Sequence, residues 1–343
     1  MTINLRHLTF FIVIIFLLFK ENNAPNTVSS SGLLEPIVHD NTNTLVAVGE
    51  KTSQIITYMS EQQYNADLVS LNLDDNTRVR LKQPNTNEYS PAWSSDGCNL
   101  AYVSTNRRPE VLSDIFIISA DKPNSFNVTE ALHTDASVFS TPTWSPDGNK
   151  LSFTSNMGEG FGLYILNLAD MSTFRVTPIK LEVNRPDWSP DGAKIAFGAE
   201  VGRNINLYIV NTDGSNLKNI TNTLASDTDP SWSPDNSQIA FSSNRDGNWE
   251  IYVMNADGSN PKRLTTNDAI DISPDWSPDG KRIVFSSERT GNSEIYVMDA
   301  DGSNLKQLTD EPYVINQEPH WQPTVCNSFP FSHFSSDIAS DPS

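Results

Sequence analysis

The sequence is poor in basic residues. It has 23 lysines and arginines against 42 aspartates and glutamates in 343 residues, a formal net charge of −19. Proteins that bind nucleic acid directly need a basic footprint, so this balance predicts no nucleic-acid partner. It suits a basic partner, a metal ion or plain solubility.

Catalytic signatures are also lacking. The five histidines are scattered, and no two form an HxxxH pair of metal ligands; they are His7, His39, His133, His320 and His333. The sequence contains no G-x-S-x-G nucleophile elbow and no glycine-rich phosphate loop. We therefore expect a protein that is not an enzyme, with no catalytic residue and no cofactor.

Long apolar runs are absent except for one near the N-terminus. Residues 8–19 are mostly apolar, with Arg6 and His7 before them and Lys20 after them. A membrane-spanning helix needs about 20 apolar residues, so residues 1–30 are predicted to be a secretory signal peptide, with an uncleaved membrane anchor as the alternative. Either reading predicts export to the periplasm or the extracellular space, with membrane contact only through this segment.

What the sequence does contain is a repeat. Six tryptophans recur at spacings of 51, 44, 44, 44 and 45 residues, each with a proline two positions before it: Trp93, Trp144, Trp188, Trp232, Trp276 and Trp321. A period of 40 to 50 residues indicates a propeller or a solenoid. By position, these six side chains are predicted to be structural core.

One copy of the repeat reads as four strands. "SPDW" is a short strand, "SPDG" a turn, "KRIVFSS" an alternating second strand, "EIYVMDA" a third strand, and "LKQLT" a fourth after an Asp-Gly hairpin. Four antiparallel strands joined by tight turns make one propeller blade, and blades must stack to bury their apolar faces.

The two ends of the repeat region complete each other. Residues 54–82 match strands two to four, whereas residues 318–323, "EPHWQP", match only the first strand. We therefore predict an all-β, six-bladed propeller over residues 54–323, closed by pairing of its N- and C-terminal strands. Residues 31–53 are then a linker and residues 324–343 a flexible tail.

The consensus "PxWSPDGxxIAF…IYVMNADGSNxxxLT" resembles the WD-like repeat of the TolB family, in its C-terminal propeller. That resemblance implies a six-bladed propeller, export to the periplasm, and a cell-envelope role in binding a protein or peptide partner such as an envelope lipoprotein. Related propellers occur in pectin-fragment lyases, so a metal-dependent carbohydrate-active propeller is the alternative function.

The two cysteines, Cys98 and Cys326, each follow a repeat tryptophan by five residues. Equivalent points of neighbouring repeats are expected to lie beyond the ~7 Å between Cα atoms that a disulfide tolerates. This favours two free thiols, although an exported protein could pair them.

The first strand of each blade lines the channel of a propeller, so candidate binding residues lie just before each Pro-x-Trp. Five or three residues before a tryptophan stand Glu88, Asp227, Asp229, Asp271, Asn316 and Glu318. They predict an acidic rim at one channel mouth, which would attract a cation or a basic peptide segment. A solvated rim without function is the alternative, and a Ca²⁺ or other divalent ion in the channel stays open.

Overall fold

The computed structural model describes residues 54–81, 86–108, 111–119, 122–132, 138–179, 181–323 and 326. All of them belong to one compact unit. The predicted leader and linker, and the tail apart from Cys326, lie outside the described residues. None of the helices in the described ranges is long and apolar enough to cross a membrane.

The described residues form six four-stranded antiparallel sheets. From the inner to the outer strand, blade 1 is β24 (Ile315–Trp321), β1 (Ile55–Gln62), β2 (Asn65–Asn72) and β3 (Arg78–Leu81). Blade 2 is β4 (Glu88–Trp93), β5 (Asn99–Arg108), β6 (Val111–Ser119) and β7 (Lys122–Asn127). Blade 3 is β8 (Phe139–Trp144), β9 (Lys150–Ser155), β10 (Gly162–Asn167) and β11 (Thr173–Arg175). A single 3-10 turn, Glu130–Leu132, stands between blades 2 and 3 in the described ranges.

The remaining blades follow the same order. Blade 4 is β12 (Glu182–Trp188), β13 (Lys194–Val201), β14 (Asn204–Asn211) and β15 (Lys218–Asn219). Blade 5 is β16 (Asp227–Trp232), β17 (Gln238–Ser243), β18 (Glu250–Asn255) and β19 (Lys262–Arg263). Blade 6 is β20 (Asp271–Trp276), β21 (Arg282–Ser287), β22 (Glu294–Asp299) and β23 (Lys306–Gln307).

Blade 1 confirms the predicted closure of the ring. The last strand, β24, pairs antiparallel with the first, β1, and Trp321 stands opposite Ile56. The two ends of the propeller thus share one sheet, and the exposed strand edges that could template aggregation are removed.

The core is divided among the six junctions between blades. Six clusters of buried apolar residues each draw on two neighbouring blades, including one that joins blade 6 to blade 1. The six repeat tryptophans are between 1% and 8% exposed, which confirms their predicted core position. Burying a large apolar side chain stabilises the fold by about 1.5–3 kcal/mol, so each blade is held mainly by its neighbours.

The two cysteines form a disulfide, so the prediction of free thiols was wrong. The Cα atoms of Cys98 and Cys326 are 5.0 Å apart. After Trp321 the chain has no "SPDG" turn, and Gln322 Nε2 donates a hydrogen bond to the Gly97 carbonyl of blade 2 at 2.7 Å. Cys326 therefore leaves the repeat pattern and packs in the cluster between blades 1 and 2.

Candidate functional site

The inner strands surround a central cavity of about 110 Å³. Two rings of side chains line it, each with one member per blade. The bulge ring stands three residues before the tryptophans and comprises Ser90, Thr141, Arg185, Asp229, Ser273 and Glu318. The pre-tryptophan ring stands one residue before them and comprises Ala92, Thr143, Asp187, Ser231, Asp275 and His320, all of which except Ala92 line the cavity.

Every residue of the bulge ring has a left-handed backbone, with φ between 44° and 55°. This conformation costs a non-glycine residue roughly 1–2 kcal/mol. It accompanies a β-bulge, at which the pairing of each inner strand with the next strand shifts register. The bulge directs backbone N–H groups to the neighbouring blade, as in the hydrogen bond from Ser273 N to Ser242 Oγ at 3.1 Å.

Arg185 pairs with both carboxylates of the bulge ring and offsets half of their charge. Its Nε lies 2.8 Å from Asp229 Oδ1 of blade 5, and its Nη2 lies 2.6 Å from Glu318 Oε1 of blade 1. Blades 4 and 1 are opposite in a ring of six, so this guanidinium spans the channel. Ser90 N also donates to Glu318 Oε2 at 2.8 Å. Of the predicted acidic residues, Asp229 and Glu318 therefore do line the channel, but they share an internal cation.

The other four predicted rim residues are buried inside the blades and do not line the cavity. Each is 0% exposed: Glu88, Asp227, Asp271 and Asn316. Charged or hydrogen-bonding partners from the same blade or from the neighbouring blade hold them there, because a buried polar group needs a partner. Asn316 Nδ2, for example, donates to Glu294 Oε2 at 2.9 Å, and Ser104 Oγ donates to Glu88 Oε1 at 3.4 Å.

The two aspartates of this set form ion pairs within their blades. Asp227 lies 2.8 Å from Arg245, and Asp271 lies 2.9 Å from Arg289. Each arginine also stacks over aromatic rings of its own blade, with Arg245 4.8 Å from the centroid of Tyr252. These contacts give both carboxylates a structural role. A binding role of the six predicted residues stays a prediction, and of the six only Asp229 and Glu318 line the cavity.

The pre-tryptophan ring contains two carboxylates that the sequence analysis missed. Asp187 Oδ2 accepts a hydrogen bond from the backbone N of Trp232 at 2.7 Å, and Asp275 Oδ2 accepts one from Trp321 N at 2.8 Å. Both bonds cross to the next blade, so these side chains help to join the blades. The signal in the sequence is the "PDW" of blades 4 and 6, where other blades have Ala, Thr, Ser or His before the tryptophan.

No cation within the described residues pairs with either carboxylate. The ion pairs found there do not include Asp187 or Asp275. Burial raises the pKa of Asp187 to about 7, with a further upward contribution from the Asp275 carboxylate, although the Trp232 N–H opposes both. Burial likewise raises the pKa of Asp275, and the charge of His320 opposes that rise.

A divalent ion in the channel stays a prediction. In the described part of the chain, no group of three or more His, Cys, Asp or Glu side chains is placed to hold a metal ion.

The chain was compared with known proteins. The model of the TolB beta propeller domain matches residues 124–272 and 244–325, more than half of the chain. No curated protein matches it.

Solved structures share the fold. TolB from Acinetobacter baumannii is 22% identical with a TM-score of 0.69, and the match covers 79% of this chain and 67% of that one. A putative TolB from Agrobacterium tumefaciens is 20% identical with a TM-score of 0.63, covering 79% and 99%. An oligogalacturonate lyase in complex with manganese is 17% identical with a TM-score of 0.52, covering 77% and 74%. At these identities the likeness is one of fold, whereas the match to the family model shows that the chain belongs to the TolB beta-propeller domain family.

Proposed function

We propose that this protein is an exported, non-enzymatic propeller that binds a protein or peptide partner. A basic group of the partner would bind in the channel of the propeller. The resemblance of its repeats to TolB propellers supports a scaffold role. Fold alone does not choose a function, so the proposal depends on the chemistry of the channel.

The observation that carries the proposal is the unpaired charge of Asp187 and Asp275. A carboxylate removed from water without a cation is costly, which makes such a site attractive to an incoming positive charge. The bulge ring, by contrast, already has Arg185 between Asp229 and Glu318. The basic group of the partner is therefore expected at the pre-tryptophan ring.

Export is supported by the disulfide between Cys98 and Cys326. Disulfides persist in oxidising compartments and are rare in the cytosol. The predicted signal or anchor in residues 1–30 agrees with this location, and the family resemblance implies the periplasm.

Cross-linking of the tagged full chain in its own cells tests the proposal. The Asp187→Asn/Asp275→Asn double variant removes two channel charges, and Asn keeps an oxygen that can accept the bonds from Trp232 N and Trp321 N. The matched control, Asp213→Asn/Asp257→Asn, removes the same charge from two exposed hairpin turns.

We expect the wild type and the control to capture the same identified partner, and the channel variant to capture at least tenfold less. Unfolding midpoints of all three proteins would confirm that they are folded. Equal capture by the channel variant would overturn the proposal.

A further inference from the structure

We propose that the pre-tryptophan ring is a binding site for a primary ammonium group on an alkyl chain. Such a group is the end of a lysine side chain or a free alkylamine. The inference rests on the proposed function, since it names the chemical group with which the partner would enter the channel.

The charge of the cavity is the first support. Four carboxylates and one guanidinium line it, together with His320. Arg185 is taken up by Asp229 and Glu318, at 2.8 Å and 2.6 Å. A single bound cation beside Asp187 and Asp275 would therefore bring the lining closer to neutrality.

An unused hydroxyl is the second, independent support. Ser273 lines the same cavity and is 7% exposed, and its Oγ has no hydrogen-bond partner among the described residues. Buried hydroxyl groups normally have a partner, so this one is a further polar atom that a ligand in the cavity could satisfy.

The hydrogen bonds that Asp187 and Asp275 already accept favour an ammonium over a guanidinium as the bound group. Asp187 and Asp275 each give one oxygen to a backbone N–H of the next blade, and Asp275 Oδ1 also accepts from Ser231 Oγ at 3.2 Å. A guanidinium pairs best with both oxygens of one carboxylate, and both oxygens of Asp275 already accept a bond, which disfavours such a two-point pair there. An ammonium has three donors that point in different directions and can reach one oxygen on each side chain.

The rings also indicate the side of entry. The bulge ring lies two residues earlier on every inner strand, and there Arg185 bridges opposite walls of the channel. The pre-tryptophan ring lies nearer the turns that follow the tryptophans. A thin alkyl chain would therefore enter from the side of these turns, and the cavity of about 110 Å³ has room for its head group.

Ligand-observed NMR titrations of the full chain at pH 8 and low salt test the site. The probes are n-butylamine, the peptide acetyl-Gly-Lys-Gly-amide, and its arginine counterpart. We expect saturable one-to-one binding of both amines, at least tenfold weaker binding of the arginine peptide, and a tenfold or greater loss of amine affinity in Asp187→Asn/Asp275→Asn. The control Asp213→Asn/Asp257→Asn should bind like the wild type.

Several outcomes would overturn the inference. These are an absence of saturable amine binding to the wild type, unchanged amine affinity in the channel variant, or equal affinity for the arginine peptide. One-to-one Ca²⁺ binding that requires both aspartates and displaces the amines would assign the site to a metal instead. Binding of butylamine without the lysine peptide would restrict the site to free amines.

The NMR titration and the cross-linking experiment distinguish failure of the ammonium site from failure of the proposed function. If a partner is captured through the channel but no amine binds, the ammonium assignment is wrong and the partner-binding function stands. If amines bind but no partner is captured, the site stands and the proposed function falls.

Discussion

The inner strands carry two pairs of aspartates with opposite surroundings. Asp227 and Asp271 stand five residues before a tryptophan, are 0% exposed, and are each paired with an arginine of their own blade. Asp187 and Asp275 stand one residue before a tryptophan, are half-buried, and form no ion pair among the described residues, although the charge of His320 acts on Asp275. The degree of burial therefore does not tell which aspartates have an unpaired charge: the more deeply buried pair has arginine partners, and the less buried pair does not.

This difference shows that an excess of acidic residues does not say where a protein is electrostatically negative. The electrostatic potential depends on which carboxylates have a cation nearby. Dissolved salt also screens the carboxylates that are exposed on the surface. In this propeller the negative site lies at two positions of the channel wall, and most of the predicted acidic rim is internal structure.

The largest expected loss of stability comes from removing one partner of an ion pair inside a blade. In Arg245→Met the aromatic contacts of the side chain are partly kept, but the buried Asp227 loses its cation. We expect the free energy of unfolding to fall by about 3–5 kcal/mol, because an uncompensated buried charge is left behind. Urea unfolding of the variant against the wild type measures this loss.

The double variant Arg245→Met/Asp227→Asn is the control for that prediction. It should recover part of the lost stability, since the stranded charge is removed as well. A loss below about 1 kcal/mol in Arg245→Met would show that the pair is not structural.

Removing the disulfide should have a slightly smaller effect. We expect Cys98→Ser/Cys326→Ser to lower the free energy of unfolding by about 2–4 kcal/mol. Hydrogen exchange should quicken in β24, which carries Glu318 and His320 of the channel wall, and not in β16 of blade 5. Uniform quickening, or no change in stability under reducing conditions, would contradict a role of the disulfide in holding the closing strand.

The pH dependence of Asp187 gives the third effect. Its pKa is about 7 in the folded chain against an ordinary 3.8, so the folded state binds more protons between these values. Stability contributed by this group is present at low pH and is lost as the pH rises through about 7. The groups that face it in the channel are Asp275, His320, Arg185, Asp229 and Glu318.

We therefore expect Asp187→Asn to match the wild type near pH 4 and to exceed its free energy of unfolding at pH 8 by about 1–2 kcal/mol. This is less than the roughly 4 kcal/mol of the full pKa shift, because water screens a half-buried carboxylate. Urea midpoints over this pH range measure the difference. A constant difference between the two proteins from pH 4 to pH 8 would show that Asp187 has no raised pKa.

The smallest effect is expected on the surface. Asp213→Asn should leave the urea midpoint of unfolding indistinguishable from that of the wild type, since Asp213 is exposed in a hairpin turn. Its carboxylate accepts bonds from the backbone N and Oγ of Ser215, and Asn can accept them too. A clear fall of the urea midpoint would make this variant unsuitable as a control for the channel.

The fold could be predicted because the same sequence pattern recurs in nearly every blade. The tryptophans, the "SPDG" turns and the alternating second strands each recur at nearly constant spacing, and the split repeat at the two ends predicts the shared blade. Packing at each junction depends on those repeated residues, as the six similar core clusters show.

The site could be predicted only in part because it depends on residues that differ between blades. Arg245 and Arg289 each follow their aspartate partner, Asp227 or Asp271, by 18 residues. The sequence could have indicated this pairing, because the arginine and the aspartate occur together in the same two repeats. Arg185 could not be placed in the same way, since it reaches Glu318 across the channel. The disulfide depends on the path of the chain after Trp321, where the repeat stops.

The most direct test of the account is a carboxyl-carbon NMR titration of Asp187, with its signal assigned from the Asp187→Asn variant. We predict a titration midpoint near pH 7, since the side chain is partly withdrawn from water in the channel wall and forms no ion pair among the described residues. A midpoint at or below about 4, the ordinary range for aspartate, would show that the channel carboxylate is solvated or already paired.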